Sequence, residues 1–359
     1  MKEVKDYRVI KRCTYCLETI LFISICTVIS GGEDYHDMES FGKEKCVWLR
    51  KYLDLPNGTP SHDTFQRVFE YLDKESFRDC LRAISLVEKL DLASEILAID
   101  GKKLRGASPR TRGNDGLYVL TAWACEEEVS VAEVRVDDKS NEITAIPQLL
   151  KKMDLSGSTI SIDAIGCQKT IAEQIIEGEA DYILAVKKNQ KLLLEEIEDS
   201  FSYGKVEKEH LSWDYGHGRY EERKCTILDA QKFLSPLELV KWKGIASLVR
   251  IESLRVENDI RVTNTRYYIS SHSKGAEYFN FSVRKHWSIE NKLHWNLDVV
   301  LKEDSSRTRV NNAPENLNTL RKFCLRLLIQ KKDGISKPKK RFRAALNTSY
   351  LEDILNVKV

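Results

Sequence analysis

The order in which apolar runs alternate with amphipathic ones constrains this chain most. Residues 95–100 (EILAID) form a short apolar run that ends on an acid and meets Gly101. Residues 118–125 and 129–136 are β-branched and aromatic runs joined by the acidic turn Glu126-Glu127-Glu128, the pattern of a meander. An amphipathic helix is predicted over 142–153, with Pro147 best tolerated near its first turn. A second acid-terminated strand, 158–163 (STISID), is followed by a helix over 171–178 and a buried strand over 181–186 (DYILAV).

Three strands, helix, strand, helix, strand is the order of a ribonuclease-H-like α/β core with a mixed sheet. Ahead of it, residues 1–93 carry helical spacing throughout and are expected to form an all-helical N-terminal domain. Its first apolar run, 17–30 (LETILFISICTVIS), follows a basic start and imitates a signal peptide. Glu18 interrupts it, it is too short to span a bilayer, and Gly31-Gly32 ends it as a helix C-cap would, so a buried core helix is expected. Ser61, His62 and Asp63 are adjacent, which rules out triad geometry and favours an N-cap. The core's first part is expected over 94–190, a β-rich insertion over 191–271, and the core's return over 272–330. A basic tail, 331–359, is expected to be mobile over 331–343 and to carry a last short helix near 350–355.

Composition narrows the class less than charge placement does. The net charge of the 359 residues is only +2, so no global basicity marks a nucleic-acid binder. Yet Lys102, Lys103, Arg105, Arg110 and Arg112 crowd one segment, and seven cations crowd 331–343 against the single acid Asp333. Such patches can track a phosphate backbone, or simply be solvated. Nine irregularly spaced cysteines do not make a disulfide framework and fit a reducing cytoplasm. Cys13 and Cys16 form a lone C-x-x-C with no second pair to complete a zinc site.

Residues 281–304 (FSVRKHWSIENKLHWNLDVVLKED) read as one long helix, free of Pro and Gly, with Ile289, Leu293, Leu297 and Val300 as its apolar stripe. His286, Glu290, His294 and Asp298 follow one another at i+4 steps beside that stripe. Taken alone, this is a solvated helix face. Asp100 and Asp163 at strand ends change the reading, because a helix packed on that sheet can add Glu290 as a third carboxylate. Three carboxylates cannot share a small space ionised without a cation. Hard oxygen ligands favour Mg²⁺ or Mn²⁺, and two such ions can drive an in-line phosphoryl displacement. No Walker loop, dinucleotide fingerprint or nucleophile elbow competes with that reading.

Several long motifs carry a resemblance. AIDGKKLRGA at 98–107, DDKSNEITAIPQLL at 137–150, SIDAIGCQKTIAEQII at 161–176, EADYILAVKKNQ at 179–190, HGRYEER at 217–223 and RKHWSIENKLHWNLDVVLKED at 284–304 resemble the ISAs1 family of bacterial insertion-sequence transposases. The N-terminal CLETILFISICTVISGGEDYHDMESFG and PSHDTFQRVFEYLD look like the helical domain preceding the catalytic core there. The resemblance implies a DDE transposase of the IS4-like group, with Asp100, Asp163 and Glu290 as a triad holding two Mg²⁺ or Mn²⁺ ions. It implies double-stranded DNA as partner, both inverted-repeat ends and target, a homodimer in the DNA complex, and action on the nucleoid in the bacterial cytoplasm. The wider group surrounds its glutamate with a Tyr, an Arg and a Lys, where this chain has Val283, His286 and Leu297. Lys102, Lys103, Arg105, Arg284, His286, Lys292 and His294 are the candidates for DNA contact. A transposase-derived DNA-binding protein that no longer transposes is the alternative, and a nuclease without strand transfer a third.

Overall fold

The computed structural model describes residues 4–9, 11, 13–85, 90–107, 117–136, 141–205, 208–216 and 218–356. They divide into two compact units. One is helical and takes Met1–Leu90, Lys103–Tyr118 and Glu290–Val359; the other takes Asp91–Lys102 and Val119–Ile289. The helical unit begins with α1 (Leu17–Ile29), α2 (Tyr35–Glu44), α3 (Cys46–Leu49), α4 (His62–Tyr71) and α5 (Lys74–Ile84). In α1 only Glu18 and Phe22 escape full burial, so this helix is apolar on every face because it has no solvent face. It ends as expected. Gly31 adopts φ +104°, and the Gly32 and Gly31 N–H groups donate to Thr27 O at 2.9 Å and Val28 O at 3.3 Å, a Schellman pair. Among the described residues no helix is long and apolar enough to cross a membrane. Ser61 does stand at the N-cap of α4, but its hydroxyl meets Thr64 Oγ1 instead of a backbone N–H.

The second unit is built on β1 (Ile96–Leu104), β2 (Leu117–Ala124), β3 (Val129–Val136), β4 (Thr159–Ile162), β5 (Asp181–Val186), β6 (Lys208–Gly216), β7 (Arg219–Asp229), β8 (Ser247–Glu257) and β9 (Ile260–Ser270). These form one nine-stranded sheet in the order β3-β2-β1-β4-β5-β9-β8-β7-β6. β1, β4 and β5 pair in parallel, with α6 (Glu142–Leu150) and α7 (Lys169–Glu177) in the connections, and this is the ribonuclease-H-like order expected. Pro147 falls in the sixth position of α6, not its first turn. After α8 (Lys191–Tyr203), the β-rich stretch extends the same sheet, because β9 runs antiparallel to β5 from Ile183↔Ser270 to Val186↔Tyr267. Two short helices, α9 (Ala230–Phe233) and α10 (Pro236–Lys241), join β7 to β8. Then α11 (Ala276–His286) lays Ala276, Phe279 and Val283 on Cys225, Ile227, Val249, Ile251 and Tyr268.

The single helix expected over 281–304 is broken. α11 ends at His286, and Ile289–His294 and Asn296–Val300 are π-helical. The buried Asn296 supplies a reason: its carboxamide donates to Lys292 O at 2.8 Å and Asn291 O at 3.3 Å, entering the main-chain ladder. The wider turn closes with Leu301 N–H on Asn296 O at 3.0 Å. Ile289, Leu293, Leu297 and Val300 are nevertheless buried, as their spacing predicts.

The basic tail is not a mobile patch. After α12 (Ala313–Gln330) it forms α13 (Lys337–Leu346) and α14 (Thr348–Leu355), both packed on α12, and two of its cations are core residues. The Arg341 guanidinium donates to Val28 O at 3.1 Å, Gly32 O at 3.2 Å and Val300 O, satisfying carbonyls that the ends of α1 and of the π-helical segment leave open. Lys340 Nζ donates to Leu328 O at 2.9 Å and to Lys331 O. Asn316 of α12 does the same for α4, donating to Phe69 O at 2.8 Å and Leu72 O at 3.1 Å. Glu352 of α14 accepts from Trp48 Nε1 and Tyr52 OH, both at 2.7 Å. Arg341→Ala strands three acceptors and is expected to cost about 2–4 kcal/mol, lowering the thermal midpoint by roughly 5–10 °C. The exposed Lys339→Ala is expected to change it by no more than about 2 °C; equal midpoints for the two variants in a calorimetric scan would refute the capping role.

Candidate active site

The site begins with a register. β1 and β4 pair Ile96↔Thr159, Leu97↔Ile160, Ala98↔Ser161 and Ile99↔Ile162, so Asp100 and Asp163 stand side by side one residue beyond the last of these pairs. Every side chain in those paired stretches is buried, and both acids are half-buried. In a parallel pair, neighbouring positions point to the same face, so the two carboxylates share a face with Thr159 and Ser161. That face is covered by α11. Thr159 Oγ1 lies 2.9 Å from Tyr278 OH and 2.8 Å from His272 Nε2.

Asp163 also shapes the chain that follows it. Its Oδ1 accepts from the Ile165 N–H at 3.0 Å, capping the 3₁₀ turn Ala164–Gly166. Gly166 closes that turn against β4, where a Cβ would sit 2.3 Å from Ile162 Cγ2. Two carboxamides after β5 hold the turn from its other side: Asn189 Nδ2 donates to Ala164 O at 2.6 Å and Gln190 Nε2 to Cys167 O at 2.9 Å. Neither stood out in the sequence. The available signal was two carboxamides directly after a buried strand, where a bare loop needs none.

Of the residues expected to touch DNA, His286 turns inward. Burial pushes its imidazole down to about 4, against the opposing pull of the Asp163 carboxylate and a hydrogen bond with the Ser161 backbone. It is therefore a neutral neighbour of the acid pair at physiological pH. Arg284 is exposed and pairs with Asp214 of β6 at 2.5 Å, a surface bridge that a phosphate could displace. Lys102 is half-buried within β1, Lys103 is exposed, and Arg105 sits in the 3₁₀ turn Arg105–Ala107, 3.9 Å from Asp304. Arg110 and Arg112 lie outside the described residues. Glu290, exposed, opens the π-helical turn Ile289–His294, which also carries the half-buried Lys292 and His294. Val283 and Leu297, where the wider IS4 group has polar residues, are core. Among the described residues no group of three or more His, Cys, Asp or Glu is gathered closely enough to hold a metal ion. Within the sheet unit Asp100 and Asp163 stand side by side, a hard-oxygen pair suited to a divalent cation.

Residues 91–327 match the model of the transposase DDE domain, and residues 1–84 that of the DDE_Tnp_1-associated region. The chain belongs to the DDE transposase family. It is 37% identical to the putative transposase YncI of Escherichia coli O157:H7, over 98% of this chain and 92% of that protein. It is 36% identical to the H repeat-associated putative transposase YhhI of E. coli strain K12, over 98% of this chain and 95% of that protein. A piggyBac transposase synaptic complex with hairpin DNA aligns with a TM-score of 0.44 at 12% identity, covering 95% of this chain and 73% of that one.

A pH dependence follows from His286. Its pKa is lowered on folding, so the unfolded chain binds the extra proton between about pH 6.5 and about 4. The stability contributed by the neutral ring is full above about pH 6.5 and is lost as pH falls through that window. His286→Gln is expected to flatten the fall of the unfolding midpoint measured from pH 7 to 4. An unchanged slope would show that the ring titrates normally.

Proposed function

We propose that this transposase cleaves DNA at the inverted-repeat ends of an insertion sequence and joins the freed 3′-hydroxyls to target DNA. The observation that carries the reading is the parallel register that sets Asp100 beside Asp163 inside the stretch matched by the DDE model. We assign Asp100, Asp163 and Glu290 as the carboxylates that hold one or two Mg²⁺ or Mn²⁺ ions. When bound, such ions neutralise the charge that builds up in an in-line phosphoryl displacement. The protein's own part is to hold Asp100 and Asp163 adjacent and fixed. Half-burial of the two aspartates limits competition from water, Asn189 and Gln190 brace the turn after Asp163, and neutral His286 nearby adds no charge.

Lys102, Lys103, Arg105, Arg284, Lys292 and His294 are proposed as backbone contacts, and residues 1–93 as the part that recognises the element's ends. The working assembly is proposed to be a homodimer on DNA, acting on the nucleoid in the bacterial cytoplasm. The names of the relatives, putative transposases matched over nearly their whole length, support the same reading.

Asp163→Asn and Glu290→Gln keep size and hydrogen bonding but remove charge. Each is expected to lower Mg²⁺-dependent cleavage of end-containing DNA by about 10²–10³-fold or more while leaving duplex affinity within about 2-fold. His294→Ala is expected to be milder, since Mg²⁺ prefers oxygen ligands. Comparable losses for Glu290→Gln, His286→Ala and His294→Ala, with activity restored only by Zn²⁺, would replace the carboxylate reading with a histidine-rich site.

A further inference from the structure

The helical unit contains a cavity of about 540 Å³ that lies outside the acid pair. One wall is the loop that follows the π-helical segment, from Lys302 to Val310; the other is the start of α2 and the side of α4 that carries His62, Gln66 and Glu70. The first wall is rich in donors. Lys302 and Arg307 are exposed, and neither has an acidic partner among the described residues. Ser305 and Thr308 add hydroxyls between and beside them.

This wall is built, not loose. Lys302 holds a left-handed conformation at φ 54°, and the next residue, Glu303, is buried and accepts from Asn318 Nδ2 at 2.8 Å. Arg309 Nε donates to Gly106 O at 3.1 Å. Gly106 approaches so closely that a Cβ there would lie 1.9 Å from Ser306 O and 3.0 Å from Asp304 O. The glycine of the GKKLRGA stretch is thus explained by backbone contact with this loop, which no larger residue permits. The facing wall carries three acids: Asp34 caps α2 by accepting the Asp37 N–H at 3.0 Å, buried Glu70 accepts from Gln66 at 2.8 Å, and Glu33 is exposed. These carboxylates repel an anion from their side of the cavity, and the counter-charge it meets is on the loop wall, at Lys302 and Arg307.

We propose that this cavity receives a backbone phosphate of duplex DNA, with Lys302 and Arg307 as the ion-pair partners and the Ser305 and Thr308 hydroxyls as donors. Cations and hydroxyls carried on a loop whose backbone is held suit a phosphodiester, which an arginine fork can grip through two oxygens. The volume admits the attached sugar as well. The inference rests on the chain being a DNA-processing transposase, and it adds a contact that belongs to the backbone and so to every sequence.

The test measures binding of the full chain to a labelled duplex carrying the element's flanking repeat, and to a scrambled duplex, between 50 and 200 mM salt, conditions over which counterion release is read. Lys302→Gln with Arg307→Gln should weaken both duplexes alike and reduce the slope of log K against log salt by about 1.8, the value for two lost phosphate contacts. Arg307→Lys alone should keep the slope. Lys332→Gln with Lys339→Gln removes the same charge elsewhere on this unit and should change the slope by less than half as much. A double variant at Lys302 and Arg307 that folds, by circular dichroism, and keeps the wild-type slope overturns the inference alone. So does an equal loss at Lys332 and Lys339, which would mean a general field and no site. Failure of the wild type to bind either duplex overturns the functional reading itself.

Discussion

Parallel pairing of β1 with β4 is the constraint on which the candidate chemistry depends. Both strands are buried over their paired residues, so a slip of one position would turn every side chain to the opposite face and carry an aspartate toward the core. The register is fixed by that cost. Because the strands run parallel, their acid-bearing ends coincide, and the crossover through α6 exists to bring β4 back in that direction. α11 then closes the face on which the acids stand, through Thr159, Tyr278 and His286. A charged ring beside them would compete with a bound cation; burial keeps it neutral instead.

The helical unit is held by a different economy. Its N-terminal helices end on carbonyls that have no partner within their own segment, and the chain's C-terminal third provides the donors. Arg341 serves α1, Asn316 serves α4, and Glu352 receives Trp48 and Tyr52. A buried guanidinium is costly in isolation, but here each face of the fork meets an oxygen. The two ends of the sequence therefore fold as one body, which a reading by linear segments does not anticipate.

The π-helical turns after α11 follow from one buried carboxamide. Asn296 takes the carbonyls of Asn291 and Lys292, so the backbone must reach one residue further for its own hydrogen bond. This changes the angular relation among Glu290, His294 and Asp298, which an i+4 count had stacked on one line. The apolar residues of the stretch remain buried regardless, because burial tolerates a rotation of the helix that a line of polar groups does not.

What the sequence determined by itself is set by periodicity and local stereochemistry. Alternating and continuous apolar runs gave away β1 to β5 and the helices between them, since burial of those faces is the dominant free-energy term. Gly31-Gly32 announced the end of α1 because only a residue without a Cβ takes that left-handed turn cheaply. Acids at the ends of two apolar runs marked Asp100 and Asp163 as neighbours-in-waiting. Tertiary structure alone decided what each cation was for. Lys340 and Arg341 have the same composition signature as solvated tail residues, yet they are buried, and Lys302 and Arg307, unremarkable in sequence, line a cavity. A charge carries no periodicity that distinguishes a partner from solvent. Its role is fixed only when a distant carbonyl, or a glycine as close as Gly106 to Ser306, is brought against it or its loop.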